Sequence, residues 1–162
     1  MAIELFRIDD RLVHGQVVVG WGQPLDIAFL VLVDDEVAGS EWEQELYRMG
    51  VPPGMTVNFE SVASAAEALP RYRADRRRGI VLTADIDTMR RLAEAANVPA
   101  VNLGGIHHRA GRHQRLRYVF LTDDEAEALR ALARRGVVVT AQDVPAAREV
   151  PLDEVLTAHG ED

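Results

Sequence analysis

The chain has 162 residues, a formal charge of −8 and 48% apolar residues. These are the figures of a soluble globular protein able to bury a sizeable core. With a pI near 5.1 it is not built to bind nucleic acid over a general basic surface. It has no cysteine, and all 18 basic residues are arginine, which excludes thiol catalysis, thiolate metal sites, Schiff-base chemistry and a Walker-type nucleotide site.

In chain order, residues 2–8 read as a short buried strand, followed by a polar turn over Asp9–Gly15 and a short helix from Gln16 to Trp21. The almost wholly apolar run Asp26–Val33 reads as a strand covered on both faces, ending in an acidic turn, Asp34–Glu36. Ser40 is a candidate N-cap for a helix whose apolar Trp42, Leu46 and Met49 fall three to four residues apart. Gly50 ends it. Met55–Phe59 reads as a strand, and Ser61 caps a helix toward Arg73 that Pro70 is expected to end or kink near Leu69. Gly79–Thr83 is the next strand, Asp87–Ala96 a helix, and Ala100–Leu103 a strand closing on Gly104-Gly105. A polar stretch leads to a strand over Leu116–Leu121. Thr122 and Glu125 have capping-box spacing before a helix to Arg135. Val137–Ala141 is the last strand of the pattern, with a short helix from Leu152. No run approaches the ~18 apolar residues of a membrane span, and Met-Ala-Ile-Glu-Leu is no signal peptide, so a cytosolic location is expected.

Strands spaced by helices predict an α/β fold: an open, mostly parallel twisted sheet of about seven strands, helices on both faces, one edge strand antiparallel. Residues 1–162 read as one domain, with 146–162 a short C-terminal tail or helix. Ligands of such sheets bind outside the carboxyl ends of the strands, which directs attention to Asp9–Gly15, Asp34–Glu36, Thr83–Asp87 and Gly104–His108.

The first of these loops reads Arg7-Ile8-Asp9-Asp10-Arg11-Leu12-Val13-His14-Gly15-Gln16. Imidazole is a neutral nucleophile near pH 7 and a good leaving group once phosphorylated. Arginine offers a planar fork to phosphoryl oxygens. Glycine lets backbone N–H groups approach an anion, and a carboxylate can orient the imidazole. The competing reading of the same residues is a histidine capping a turn, with the arginines merely paired to the aspartates.

The signature RIDDRLVHGQV with Trp21 resembles the N-terminus of IIB domains of the mannose/fructose/sorbose family of the bacterial phosphoenolpyruvate-dependent sugar phosphotransferase system. Val33–Ala38, Met49–Gly54, Val101–Gly105 and Gly136–Pro145 are similar to further family segments, so the resemblance runs over about residues 3–145. It implies a phosphocarrier in which His14 accepts a phosphoryl group from a phosphorylated IIA protein and passes it to a sugar delivered by membrane subunits IIC and IID. It also implies Arg11 as phosphoryl clamp, Arg7 as a weaker one, Asp9 and Asp10 as orienters, and Gly15, Gln16, Asn102, Gly104 and Gly105 in the phosphoryl loop. Neither cofactor nor metal is implied, since arginine and backbone donors can stabilise the transferred charge. The protein would sit in the cytoplasm, at the inner membrane face where IIC and IID are present, and a homodimer is compatible with the resemblance.

Several features depart from that pattern. Thr83-Ala84-Asp85 puts an acid where a lysine is usual, and His107, His108 and His113 lie in an arginine-rich loop. A solvated loop or docking surface accounts for those histidines better than a metal site, because the loop lacks cysteine and a clear carboxylate ligand. Arg115 and Arg117 are expected on one face of a strand. Arg109 and Arg112 are candidates for steering an acidic partner. A phosphoprotein of the same fold with a regulatory role and no sugar step is the alternative function. A receiver-like signalling module is disfavoured, because the chain has no lysine for its fifth strand.

Overall fold

The computed structural model describes residues 2–12 and 20–158. Along these residues run β1 (Ile3–Ile8), β2 (Ile27–Val33), α1 (Asp35–Ala38), α2 (Glu41–Arg48), β3 (Thr56–Glu60), α3 (Val62–Arg73), β4 (Arg78–Thr83) and α4 (Ile86–Ala95). They continue as β5 (Ala100–Leu103), β6 (His113–Leu116), β7 (Val119–Leu121), α5 (Asp123–Arg134), β8 (Val138–Ala141), β9 (Val150–Pro151) and α6 (Leu152–Thr157).

Seven strands form one sheet in the order β3-β2-β4-β1-β5-β8-β9. All pair in parallel except β9, which closes the edge antiparallel to β8. Strand β2 shows why the pattern predicts two covered faces. Its Phe29, Val31 and Val33 join the core beneath α3, α4 and α5, while Leu30 and Leu32 join the core on the other face with Leu12, Trp21 and Val37. Successive side chains of a strand point to opposite faces, so both faces need apolar residues. Among the described residues, no helix is long and apolar enough to cross a membrane.

Caps fix the helices that frame the sheet. Thr122 accepts from the Glu125 amide and Glu125 reaches back to the Thr122 amide, the predicted capping box; Ser61 and Ser64 do the same for α3. Asp85 caps α4 by accepting from the Thr88 amide at 2.7 Å, so the acid that departs from the family pattern has a local structural task.

The structure corrects four expectations. The acidic segment is not a plain turn: Asp34 accepts from the Glu36 and Val37 amides and starts α1. Helix α3 runs through Pro70 to Arg73. Pro70 sits on its exposed side while Leu69 and Tyr72 are buried, so the carbonyl left without a donor can turn to water and packing holds the last turn. Leu116–Leu121 is not one strand of the main sheet. It breaks at Arg117-Tyr118 into the separate β6–β7 hairpin, and β9 supplies the seventh strand instead. Arg115 and Arg117 therefore share no strand face: Arg115 donates to the Leu156 carbonyl and Arg117 pairs with Asp143. Of the predicted helix Gln16–Trp21, residues 16–19 lie outside the described residues.

Candidate functional site

Strand β1 lies between β4 and β5. The chain builds the sheet on one side of β1 first and on the other side afterwards. The carboxyl end of β1 is thus the topological switch point, where loops diverge and leave a site. Four loops are sewn together there by backbone bonds. The Asp9 amide donates to the Thr83 carbonyl at 2.9 Å, Gly104 to Ile8 at 2.7 Å, Asp10 to Gly105 at 2.9 Å and Gln142 to Leu103 at 2.9 Å.

Arg7 sits at the centre, fully buried. Its Nη1 donates to the Asn102 side chain and, at 2.9 Å, to the Gln142 carbonyl; its Nη2 donates to Asp9 Oδ2 at 3.2 Å and the Asp143 carbonyl at 3.0 Å. The guanidinium lies 4.6 Å from the centre of the Trp21 ring, whose Nε1 donates to the same Asp143 carbonyl at 3.2 Å. Arg7 Nε is buried and has no hydrogen-bond partner among the described residues. Burial pulls the Arg7 pKa below the usual arginine value, against the opposing pull of Asp9.

Asp9 is also fully buried and holds the second arginine. Arg11 donates from Nε to Oδ1 at 2.8 Å, from Nη2 to Oδ2 at 2.7 Å and from its amide to Oδ1 at 3.1 Å. Burial pushes the Asp9 carboxyl upward, but the Arg11 hydrogen bonds and the charges of Arg7 and Arg11 outweigh it and hold the pKa below the ordinary value. The same bidentate bond raises the Arg11 pKa. A planar fork gripped along one side is fixed in orientation. Gly104 makes the packing possible: a Cβ there would stand 2.3 Å from Arg7 Nη2 and 2.5 Å from Asp9 Oδ2. Leu12 turns the chain out of this cluster with φ of 51°, its amide donating to the Asp9 carbonyl at 2.9 Å. A left-handed leucine costs roughly 1–2 kcal/mol.

The predicted residues thus fall into three groups. Arg7, Asp9, Arg11, Asn102, Gly104 and Gly105 are brought together. His14, Gly15 and Gln16 lie outside the described residues. The two aspartates part company: Asp9 is occupied by arginines, whereas Asp10 turns to the following loop, accepting from the His107 amide at 2.7 Å and meeting His107 Nδ1 at 2.5 Å. Arg7 belongs to the buried frame and offers no exposed fork to a ligand. Arg112 is likewise not a free surface charge, because Glu125 holds it through two bonds, at 2.9 and 2.8 Å, and its side chain is 8% exposed. Arg109 is exposed. The three loop histidines do not converge: His107 meets Asp10, His108 packs edge-on against Phe120 at 5.7 Å, and His113 pairs with Leu121 in the hairpin. Acidic Asp34–Glu36 stays outside the cluster, with Asp35 bound to the Val62 amide and Arg91.

Gln142 and Asp143 were not singled out from the sequence. The signal was available: they follow β8 directly, and the rule that points to the carboxyl ends of strands applies to that end too.

A family model described as the PTS system sorbose subfamily IIB component matches residues 3–162. The N-acetylgalactosamine-specific phosphotransferase enzyme IIB component 1 of Escherichia coli K12 is 34% identical over 147 residues, 88% of this chain and 91% of that protein. The sorbose-specific EIIB component of Klebsiella pneumoniae is 32% identical over 139 residues, 85% of this chain and 84% of that protein. The mannose-specific EIIAB component of E. coli K12 is 32% identical over 146 residues, and the match spans only 45% of its length. The crystal structure of the IIBSor domain of the Klebsiella pneumoniae sorbose permease superposes with a TM-score of 0.85 at 30% identity, covering 96% of each chain. That of the E. coli N-acetylgalactosamine-specific IIB component 1 gives 0.85 at 32% identity, covering 91% of this chain and 97% of that one.

Proposed function

This chain belongs to the sorbose subfamily of phosphotransferase-system IIB components, and we propose that it works as a phosphocarrier whose acceptor is His14. The phosphoryl group arrives from a phosphohistidine on a IIA protein and leaves to a sugar presented by membrane subunits, at the cytoplasmic face. The observation that carries this reading is the Arg7–Asp9–Arg11 cluster, which closes the strand ends a few residues before His14 in the sequence.

The division of labour follows from the geometry. Arg7 ties β1 to β5 and to the segment after β8 and sets the floor of the site. Asp9 aligns the Arg11 fork, so that the group clamping phosphoryl oxygens loses little further freedom at the moment of transfer. Asp10 and His107 link the turn after β1 to the loop after β5, while Asn102, Gly104 and Gly105 pack beside Arg7, Asp9 and Arg11. In the transfer, the donor's P–N bond breaks as the His14 nitrogen–phosphorus bond forms. In the discharge, the His14 nitrogen–phosphorus bond breaks as the sugar oxygen–phosphorus bond forms, and the hydroxyl proton passes to the released imidazole. Exposed Arg109 supplies the charge that steers an acidic face of IIA, and Arg112 braces its loop through Glu125.

Purified protein incubated with phosphorylated IIA and excess chelator is expected to gain one acid-labile phosphate at the rate seen with Mg²⁺. It is expected to lose that phosphate when sugar and membranes carrying the sugar-translocating subunits are added. Strict Mg²⁺ dependence of the isolated transfer would contradict the mechanism. Retention of the phosphate with every sugar would favour a regulatory role for the same fold.

A further inference from the structure

Helix α2 has the sequence Glu-Trp-Glu-Gln-Glu-Leu-Tyr-Arg and is followed by Met49. Trp42, Leu46 and Met49 stand at i, i+4 and i+7, the spacing of a helix that buries an apolar stripe. Here the stripe faces outward: Trp42 is 71% exposed, Leu46 56% and Met49 82%. The helix is held from its other side, by Gln44 donating to the Val37 and Ala38 carbonyls, by half-buried Tyr47 against the second core and by Arg48 over the Phe59 ring. On the Arg48 side of the helix, Arg48, Val51, Pro52, Pro53, Met55, Thr56 and Val57 line a groove of about 440 Å³, beside the edge strand β3. Tryptophan and methionine are over-represented at the centres of protein interfaces, and an exposed apolar stripe of this kind marks a binding surface.

The charge around the patch selects among occupants. From Asp34 to Met49 the acids are Asp34, Asp35, Glu36, Glu41, Glu43 and Glu45; Arg48 pairs with Glu45 and Arg91 with Asp35, which leaves four acids in excess. Helical geometry puts Glu45 on one flank of the stripe and Glu43 on the other. A second copy meeting this patch about a two-fold axis would set acid against acid. An anionic bilayer would be repelled for the same reason. The complementary surface is apolar at its centre and basic at its rim. Cytoplasmic loops of integral membrane proteins carry that excess of arginine and lysine.

We propose that the outward stripe of α2 and the adjoining groove form the surface on which the carrier docks to the basic, cytoplasm-facing loops of its membrane-embedded partner. The surface is separate from the Arg7–Asp9–Arg11 cluster, and the proposal rests on the phosphocarrier reading above. Docking through α2 leaves the carboxyl edge of the sheet open for phosphoryl transfer at the same time.

The test uses the intact chain, phosphorylated IIA and inverted membrane vesicles containing the sugar-translocating subunits. Trp42→Ala with Leu46→Ala, and separately Glu43→Lys with Glu45→Lys, are expected to accept phosphate from IIA in solution at the wild-type rate. Both are expected to raise the carrier concentration needed for half-maximal sugar-dependent discharge about tenfold, the scale of losing one interface anchor, with the saturating rate little changed. The charge variant should also flatten the salt dependence of discharge. Unchanged discharge in both variants overturns the proposal. So does equal binding of wild type to protein-free vesicles of anionic lipid, which would make lipid the occupant. Wild-type dimerisation in sedimentation that the alanine variant abolishes would make the occupant a second copy. Slower acceptance from IIA would assign the patch to the donor. A wild type that takes no phosphate at all would instead refute the carrier reading, an outcome distinguishable because it precedes any membrane step.

Discussion

The two ends of the sheet treat arginine in opposite ways. At the carboxyl end, Arg7 and Arg11 share one buried aspartate, and Arg7 alone draws partners from β5 and from the segment after β8. At the amino end, Arg73, Arg76, Arg77 and Arg78 line a wide groove of about 430 Å³ with Glu4 and Asp75. Arg77 forms the same kind of bidentate bond to Asp75, at 3.1 and 2.9 Å, that Arg11 forms to Asp9. The difference is burial. Asp75 and Arg77 are half-solvated, whereas Asp9 is out of contact with water. A buried charge that loses its partner is stranded at low dielectric, while an exposed one is rehydrated. Local density of charge in the sequence is therefore a poor guide to burial; the run richest in arginine lies at the solvated end.

That contrast can be broken in several places. Arg7→Met should have the largest effect, destabilising by roughly 3–5 kcal/mol in urea unfolding because it removes one of the two cations beside buried Asp9 and unties β1 from Asn102 and from the Gln142 and Asp143 carbonyls. Arg11→Lys should leave stability near wild type yet slow phosphate acceptance by an amount equivalent to roughly 2–4 kcal/mol in single-turnover quench experiments, since lysine keeps the charge and loses the fork. Gly104→Ala should cost roughly 1–3 kcal/mol by displacing Arg7 and Asp9 from contact, read by the same unfolding assay. Arg77→Ala should leave the urea midpoint close to wild type, the smallest effect of the four.

Acid separates the two ends in another way. The Asp9 pKa is held below the ordinary value in the folded state, so the unfolded chain binds its proton first as pH falls. The stabilisation is fully present above the ordinary aspartate pKa, roughly pH 4, and is lost as pH drops through the lowered folded value. In Asp9→Asn the acid limb of a stability–pH curve should flatten over that window. Asp75→Asn should leave the limb nearly unchanged: its pKa is also lowered, to about 2, by the Arg77 hydrogen bonds, but water reaches the pair and screens it.

Much of the fold was legible because it is written in local pattern. The two-faced strand at Ile27–Val33, the capping residues Ser61 and Thr122, and the glycine at 136 with φ of 93° each announce an element within a few residues. The break at Arg117-Tyr118 was not legible, because a run rich in β-formers does not show which sheet receives it. The outward stripe of α2 had the period of a core-facing helix, and only the assembled sheet shows which way it points. At the site, the motif from Arg7 to His14 suggests a phosphohistidine centre, and the structure describes its Arg7–Leu12 part. The motif could not say which aspartate serves which cation, because the partners that bury Arg7 lie 95 to 136 residues away.

The central claim is that the Arg7–Asp9–Arg11 frame serves a phosphohistidine at position 14. Its most direct test is intact-mass and fragment analysis of wild type and His14→Ala after incubation with phosphorylated IIA. The account predicts one acid-labile phosphate, mapped to His14 in the wild type and absent from the alanine variant. Full labelling of His14→Ala, or a phosphate mapped to His107, His108 or His113 instead, would contradict it.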